Sequence, residues 1–442
     1  MAGPLHDPFG ALGGEAASLV PRSPRSQALA RHLSRRSFLR NAAITAAATP
    51  SVGALLASCS SAGGALPGTT PTATLKLASP KNPVKWPIYD DNKAIADGAT
   101  PEQHATLRLY NYADYIDPAA IKSFEKKYAK YGVKVTVSTF NDTDEALTKI
   151  RGGKVPYDIY FPSYDQISKM VTAKLIRPIN HSFFPNITNL WVTYQNPWYD
   201  QGWQYTVPYT VYTTGIGWRT DKVRDDVAGM SNPFEVFWNA SYRGKIAVID
   251  DWHTAMALAQ LRIGGDVNTA DSAQIKKIQQ QMMDMQATSK PKVTITMYND
   301  LPAGQLGICQ MWSGDAVNAQ YYLGKGTKVS VLRYWAPANN GLVDNDLMVC
   351  LSGGKNPVLA QMFMNHMLDP KVAAGNFSAT GYQPPQKAIN PEKNVADGFV
   401  PQNLATATVK QSDFDSGQPL LELPINADKA WHDIWAQFKA GG

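Results

Sequence analysis

Three times between residues 107 and 173 a short apolar strand gives way to an amphipathic helix, and that alternation leaves few folds open. Leu107 and Leu109 flank Arg108 in a first strand, and Asp117 with Pro118 opens a helix. Ile121, Phe124 and Tyr128 recur there at helical spacing until Gly132. Val133–Phe140 then reads as strand, Asp144–Ile150 as helix, Tyr157–Phe161 as strand and Gln166–Ala173 as helix. Strands separated by helices pair in parallel through crossovers, so an α/β layer with a parallel sheet is predicted. In such sheets ligands lie beyond the carboxyl ends of the strands. Here the first strand runs into Tyr110, Tyr112, Asp114 and Tyr115, which makes that end the expected binding edge.

Further strands are expected at Gln204–Trp218, Lys245–Asp250, Lys292–Met297, Gln305–Trp312, Lys328–Trp335 and Asp346–Leu351. The first and last of these are placed to cross between two halves. Helices are expected from Asp251 to Leu261, over Gly265–Met285, Ala316–Leu323, Pro357–Leu368, Pro370–Ala379 and Ala427–Phe438, with Gly381–Pro385 as a rigid turn.

The first hundred residues read differently. Ser34-Arg35-Arg36-Ser37-Phe38-Leu39-Arg40, the uncharged run Asn41–Ala57 and Leu56-Ala57-Ser58-Cys59 have the form of a twin-arginine export signal with a small-residue cleavage box. The run is too short and too rich in Ala and Thr to cross a bilayer core of ~30 Å. Cys59, directly after Leu-Ala-Ser, is expected to be lipidated after cleavage, which places the mature chain on the outer face of the cytoplasmic membrane. Residues 1–58 hold six arginines against two acids, so their loss takes the formal charge from +6 to +2. A nearly neutral body without basic runs does not suit nucleic acid. Ser60–Thr74 is a Ser, Ala, Gly, Pro and Thr tether, and 79–103 is an extended arm anchored by Trp86 and Tyr89. Cys309 and Cys350 sit in apolar runs without zinc spacing and read as buried hydrophobes.

No enzyme constellation assembles. The sequence has no G-x-S-x-G, H-E-x-x-H or phosphate-binding G-x-x-x-x-G-K-[ST] motif, and His104, His181, His253, His366 and His432 are scattered. His253 is expected to face solvent in the first turn of its helix.

The pieces YNYADYIDP, YDIYFPSYDQISKM, YTVPYTVYTTGIGW, WNASYRGKIAVIDD, GQLGICQMWSGDA and GYQPP, taken in order over about Leu107–Gly442, resemble the spermidine/putrescine-binding proteins of bacterial ABC importers. That resemblance implies a two-lobe α/β fold of the periplasmic-binding-protein type II, with ligand held in the cleft. Lobe 1 would comprise 104–212 and 340–372, and lobe 2 would comprise 213–339 and 373–442. It implies a small cationic solute, permease subunits as partners, no cofactor, no metal and a monomer. Carried over by position, Tyr112, Asp114, Tyr115, Ser163 and Trp312 fall on ligand positions, and Asp251 falls where the family sets a carboxylate against an amine. Two family carboxylates fall on Thr254 and Asn345, and an aromatic wall position falls near Val343. Asp165, Asp315, Asp344 and Asp346 are acids near enough to compensate.

A polyamine is a row of ammonium groups spaced by methylenes, so its site needs carboxylates at intervals and flat apolar walls between them. Aromatic faces serve both parts through cation–π attraction. Tyr112, Tyr115, Tyr164, Trp252 and Trp312 are the candidate walls, and core packing is the alternative for each. Losing two acids favours a smaller amine such as putrescine unless Asp344 or Asp346 replaces the missing end. The rival reading rests on Tyr321-Tyr322, which resembles the phenolate pair of ferric-ion-binding proteins. A lipoprotein that scaffolds partners without a ligand is the third.

Overall fold

The computed structural model describes residues 76–441. The twin-arginine motif, Cys59 and the tether up to Thr74 lie outside the described residues. The strands are β1 (Thr106–Tyr112), β2 (Lys134–Phe140), β3 (Ile159–Tyr160), β4 (Thr206–Arg219), β5 (Ile246–Ile249), β6 (Lys292–Thr294), β7 (Ile308–Trp312), β8 (Leu332–Trp335) and β9 (Leu342–Cys350). They form one sheet in the order β2-β1-β3-β9-β4-β7-β5-β6, with β8 also on β4. β1 pairs in parallel with β2 and β3, and β5 in parallel with β6 and β7, as helical crossovers require. The fold is thus mixed α/β in two lobes.

Two long strands join the lobes. β4 has 14 residues, all buried, and at ~3.3 Å per residue it runs ~45 Å, too far for one lobe. Its first part pairs antiparallel with β9, from Thr206↔Val349 to Thr214↔Leu342. Its second part pairs with β7, from Thr214↔Trp312 to Trp218↔Ile308, and with β8. Thr214 is the residue where one partner gives way to the other. The β4–β9 register slips between Pro208 and Thr210, where the proline has no N–H for the ladder. A third crossing is made near Gln418, which bridges to Leu342.

Each lobe has its own core. Leu107, Leu109, Phe124, Phe161 and Phe363 centre the first, and Ile216, Val236, Val248, Met256 and Trp431 the second. Val409 and Phe414 pack with the first, whereas the terminal helix Ile425–Lys439 packs with the second. The arm lies along the first lobe: Val84 and Trp86 are buried, Trp86 Nε1 donates to Tyr199 O at 2.7 Å, and Tyr205 Oη donates to Pro87 O at 2.6 Å. Cys309 and Cys350 are free and buried.

Several elements differ from expectation for identifiable reasons. β9 starts at Leu342 and not at Asp346, because Asp344, Asn345 and Asp346 disguise a fully buried strand as a polar loop. The helical region expected from Gly265 begins at Ser272, where Asp271 accepts from Gln274 N; Gly264, at φ +66°, closes the helix before it. The helix after β7 spans Ser313–Ala319 and ends in a tight turn, Gln320–Tyr322.

Candidate functional site

A cavity of about 380 Å³ opens between the lobes at the carboxyl ends of β1 and β7. The first lobe supplies Tyr112, Asp114 and Tyr115 from the end of β1, Phe140 and Asp142 from the end of β2, and Tyr212 and Asp346 from the crossing strands. The second supplies Asp251, Thr296, Tyr298, Trp312 and Asp315. Tyr382, from the turn after Pro370–Thr380, closes the wall.

The rings form a continuous lining. Tyr115 meets Tyr112 edge-on at 5.8 Å and Tyr382 at 4.7 Å, and Tyr212 meets Tyr382 at 5.8 Å and Trp312 at 6.4 Å. Edge-to-face contacts leave faces free to receive methylenes or a cation. Their phenols do a second job. Tyr115 donates to Asp346 Oδ2 at 2.7 Å, Tyr212 to Asp346 Oδ1 at 3.2 Å, and Tyr382 to Asp315 Oδ1 at 2.9 Å. These bonds aim the carboxylates into the cavity.

Asp251 is the N-cap of helix Trp252–Ile263, accepting from Thr254 N at 2.8 Å. Asp114 adopts φ +55°, a conformation costly for a non-glycine residue, at the cleft mouth. Its carboxylate is hydrogen-bonded to Tyr298 of the opposite lobe, so the lobes touch through the site.

Burial dominates the electrostatics. It pushes Asp315 and Asp346 up to about 7 and Asp251 up to about 6, and the hydrogen bonds from Tyr382, Tyr115, Tyr212 and Thr254 offset only part of the shift. No Lys, Arg or His is among the residues lining the cavity. A desolvated carboxylate without a counter-charge favours its neutral form, and an incoming cation reverses that preference.

Of the residues expected at the site, Tyr112, Asp114, Tyr115, Asp251, Trp312 and Asp346 converge on the cavity. Ser163 and Asp165 lie just behind it: Ser163 bridges to Asp346 in the backbone, and its hydroxyl donates to Asp165 Oδ1 at 2.6 Å. Four expectations are corrected. Tyr164 stacks on Tyr199 at 5.4 Å and hydrogen-bonds Asp344, deep in the first lobe. Asn345 turns to the same tyrosine, donating to Tyr199 Oη at 3.1 Å, because neighbouring residues of a strand face opposite ways. Trp252 stacks on His253 at 4.7 Å instead of lining the cleft. His253 itself is buried, its Nε2 at 3.0 Å from Val267 O, not facing solvent.

Of the acids offered as substitutes, Asp315 and Asp346 line the cavity and Asp344 does not. Tyr212, Tyr298, Tyr382, Asp142 and Asn318 also line it and had not been singled out. The only signal for Tyr382 was its place in the GYQPP turn. Tyr321 and Tyr322 stand outside the lining, Tyr322 packing edge-on to Tyr298 at 5.2 Å. Among the described residues no group of three His, Cys, Asp or Glu side chains is placed to hold a metal.

Comparison with known proteins agrees with this architecture. A family model described as bacterial extracellular solute-binding protein matches residues 119–399. The spermidine/putrescine-binding periplasmic protein 1 of Haemophilus influenzae is 26% identical over 299 residues, 66% of this chain and 78% of its own. The putrescine/cadaverine-binding protein of Pseudomonas aeruginosa is 23% identical over 352 residues, 78% of this chain and 96% of its own. The solved spermidine/putrescine ABC transporter substrate-binding protein PotD from Streptococcus pneumoniae shares the fold, with a TM-score of 0.60 at 24% identity over 76% of this chain and 99% of that one. The two lobes, the crossing strands and the matched residues together make this chain a member of the bacterial extracellular solute-binding proteins.

Proposed function

We propose that this protein is the receptor of an ABC importer for putrescine- and spermidine-type polyamines, binding one in the cleft and presenting it to the permease subunits. The observation that carries this reading is a cavity walled by aromatic rings and holding Asp251, Asp315 and Asp346 with no cationic side chain in its lining. The names of the relatives point to the same ligand class. Asp346 and Asp315 make good the acids absent at Thr254 and Asn345, so the site suits two or three ammonium groups. The protein acts as a monomer, exported through the twin-arginine motif and held at the membrane by lipid on Cys59.

A calorimetric screen of putrescine, cadaverine, spermidine, spermine and Fe(III) tests the ligand. Putrescine or spermidine should bind, and a hundredfold excess over Kd should stabilise the fold by ~2.7 kcal/mol. Trp312→Ala should weaken binding by roughly 2–30-fold, following ~0.5–2 kcal/mol for a cation–π wall. A polyamine that binds equally well to Trp312→Ala and Asp251→Asn occupies another site. Binding of Fe(III) alone, lost in Tyr321→Phe, would establish the ferric alternative.

A further inference from the structure

We propose that Lys169 is a positioning residue that holds the two lobes closed from outside the ligand cavity, as the counter-ion of a buried cluster contributed by both lobes. Lys169 stands on the first-lobe helix Ile167–Thr172. Its Nζ lies 3.9 Å from Glu422 Oε1 and 3.9 Å from Asp428 Oδ1. Glu422 leads into the terminal helix of the second lobe, and Asp428 is on that helix. One turn on, His432 Nδ1 is 3.6 Å from Asp428 Oδ2 and its Nε2 is 3.2 Å from Asp144 Oδ2, back on the first-lobe helix Thr143–Arg151. Asp165 also acts electrostatically on Lys169. The Trp252 ring covers His432 at 4.4 Å. None of the charged members lines the ligand cavity.

The cluster is built to be sensitive to Lys169. Four carboxyl groups, Asp144, Asp165, Glu422 and Asp428, face the Lys169 ammonium and the His432 imidazole, whose protonated form Asp144 and Asp428 favour. The Lys169 side chain is 15% exposed, and those of Glu422 and Asp428 are each 4% exposed. Burial alone would lower the Lys169 pKa, yet Glu422 and Asp428 turn the net direction upward. Burial holds Glu422 up at about 8 even with Lys169 beside it, so near neutral pH it is largely protonated and Asp428, 3.9 Å from Nζ, is the charged partner that Lys169 balances. Removing Lys169 leaves the buried Asp428 carboxylate without its counter-ion. Here that penalty falls on the closed arrangement, because opening the lobes hydrates the groups. Closure thus gains a contribution from Lys169, and the cavity residues gain affinity through it without touching it.

This inference rests on the two-lobe receptor reading but not on which ligand is bound, and the test separates the two. Spin labels on Lys126→Cys and Lys277→Cys, one on each lobe, report the interlobe distance in the full chain. The distance should lengthen in Lys169→Met relative to the unmodified background without ligand, and converge on the background value at saturating putrescine, where bound ligand restores the closed state. It should recover in Lys169→Met/Glu422→Gln/Asp428→Asn, where the charges are removed together. The putrescine Kd should rise about tenfold in Lys169→Met, as expected when the binding-competent state falls to a tenth of its population, and return in the triple variant. If Lys169→Met fails to fold, His432→Gln tests the same cluster from the other lobe and should lengthen the distance in the same direction. Ligand-free distances unchanged by these substitutions, with an unchanged putrescine Kd, overturn the proposal. Distances that respond to Lys169→Met in a protein that ignores putrescine uphold the clamp and reject the polyamine reading.

Discussion

At the scale of single residues, the site depends on Asp346, which two phenols hold against the tendency of burial to neutralise it. A dication binds the ionised form, so its affinity should climb as pH rises from about 5 to 8 through the raised values of Asp251, Asp315 and Asp346. The ligand-free protein should show the opposite trend. Carboxylates ordinarily titrate near 4, so between about pH 4 and 7 the folded chain holds protons that the unfolded chain has released, and stability falls as pH rises through that window. Asp346→Asn should flatten both profiles and weaken the diamine by on the order of 10–100-fold, the equivalent of one hydrogen bond to a charged group at ~1.5–3 kcal/mol. Titration calorimetry across pH, with denaturant midpoints on the free protein, reads both; a diamine affinity independent of pH would dissociate these carboxylates from binding. Much of this chemistry was legible in the chain. Asp251 announces itself as an N-cap before a helix, and Trp312 stands out as a large aromatic before Ser-Gly-Asp. What could not be read was the side on which β9 residues emerge. Asn345 and Asp346 are adjacent, and a ladder register fixed partly by Pro208 sends one to Tyr199 and the other to the cleft.

At the scale of elements, the sheet is organised by β4, and its sequence explains both what was legible and what was missed. Its β-branched and aromatic run is plain, so its existence and length were expected within a residue or two. β9 was foreshortened, because its polar centre looks like a loop when its partners are unknown. Where β4 leaves β9 for β7 and β8, the backbone passes so closely that Gly215 has no room for a side chain. A Cβ there would lie 2.1 Å from Trp335 O, a backbone atom that cannot move aside alone. Gly215→Ala should therefore cost about 1–3 kcal/mol, the usual penalty for overpacking, read as a lowered denaturant midpoint. Gly353→Ala meets nothing within 4 Å and serves as the control, with an expected change within about 0.5 kcal/mol. Equal effects of the two substitutions would show that the β4–β8 crossing is not tightly packed.

At the scale of the whole molecule, the acids of the cavity are divided between the two lobes. Asp114 belongs to the first lobe and Asp346 to the strand that joins it, while Asp251 and Asp315 belong to the second. Bringing ionised acids together across the cleft is unfavourable until a cation lies between them. On the proposed function a polyamine would therefore bind a closed arrangement better than an open one, and that difference would let it drive closure. β4 passes from β9 to β7 at Thr214, opposite Leu342 where β9 begins, which makes that level of the sheet the natural place to bend. Small-angle scattering of the released, soluble protein, obtained by Cys59→Ala, should show the radius of gyration fall when saturating putrescine or spermidine is added. The same release is itself a check on the anchor, since continued membrane attachment of Cys59→Ala would contradict lipidation at that residue. Combining Asp251→Asn with Asp346→Asn removes charge from both sides of the cleft, so the variant should keep its radius when polyamine is added. A radius that falls equally in the variant would mean that closure is driven by contacts other than the cleft carboxylates, and an unchanged radius in the parent protein at saturation would mean that the lobes do not hinge.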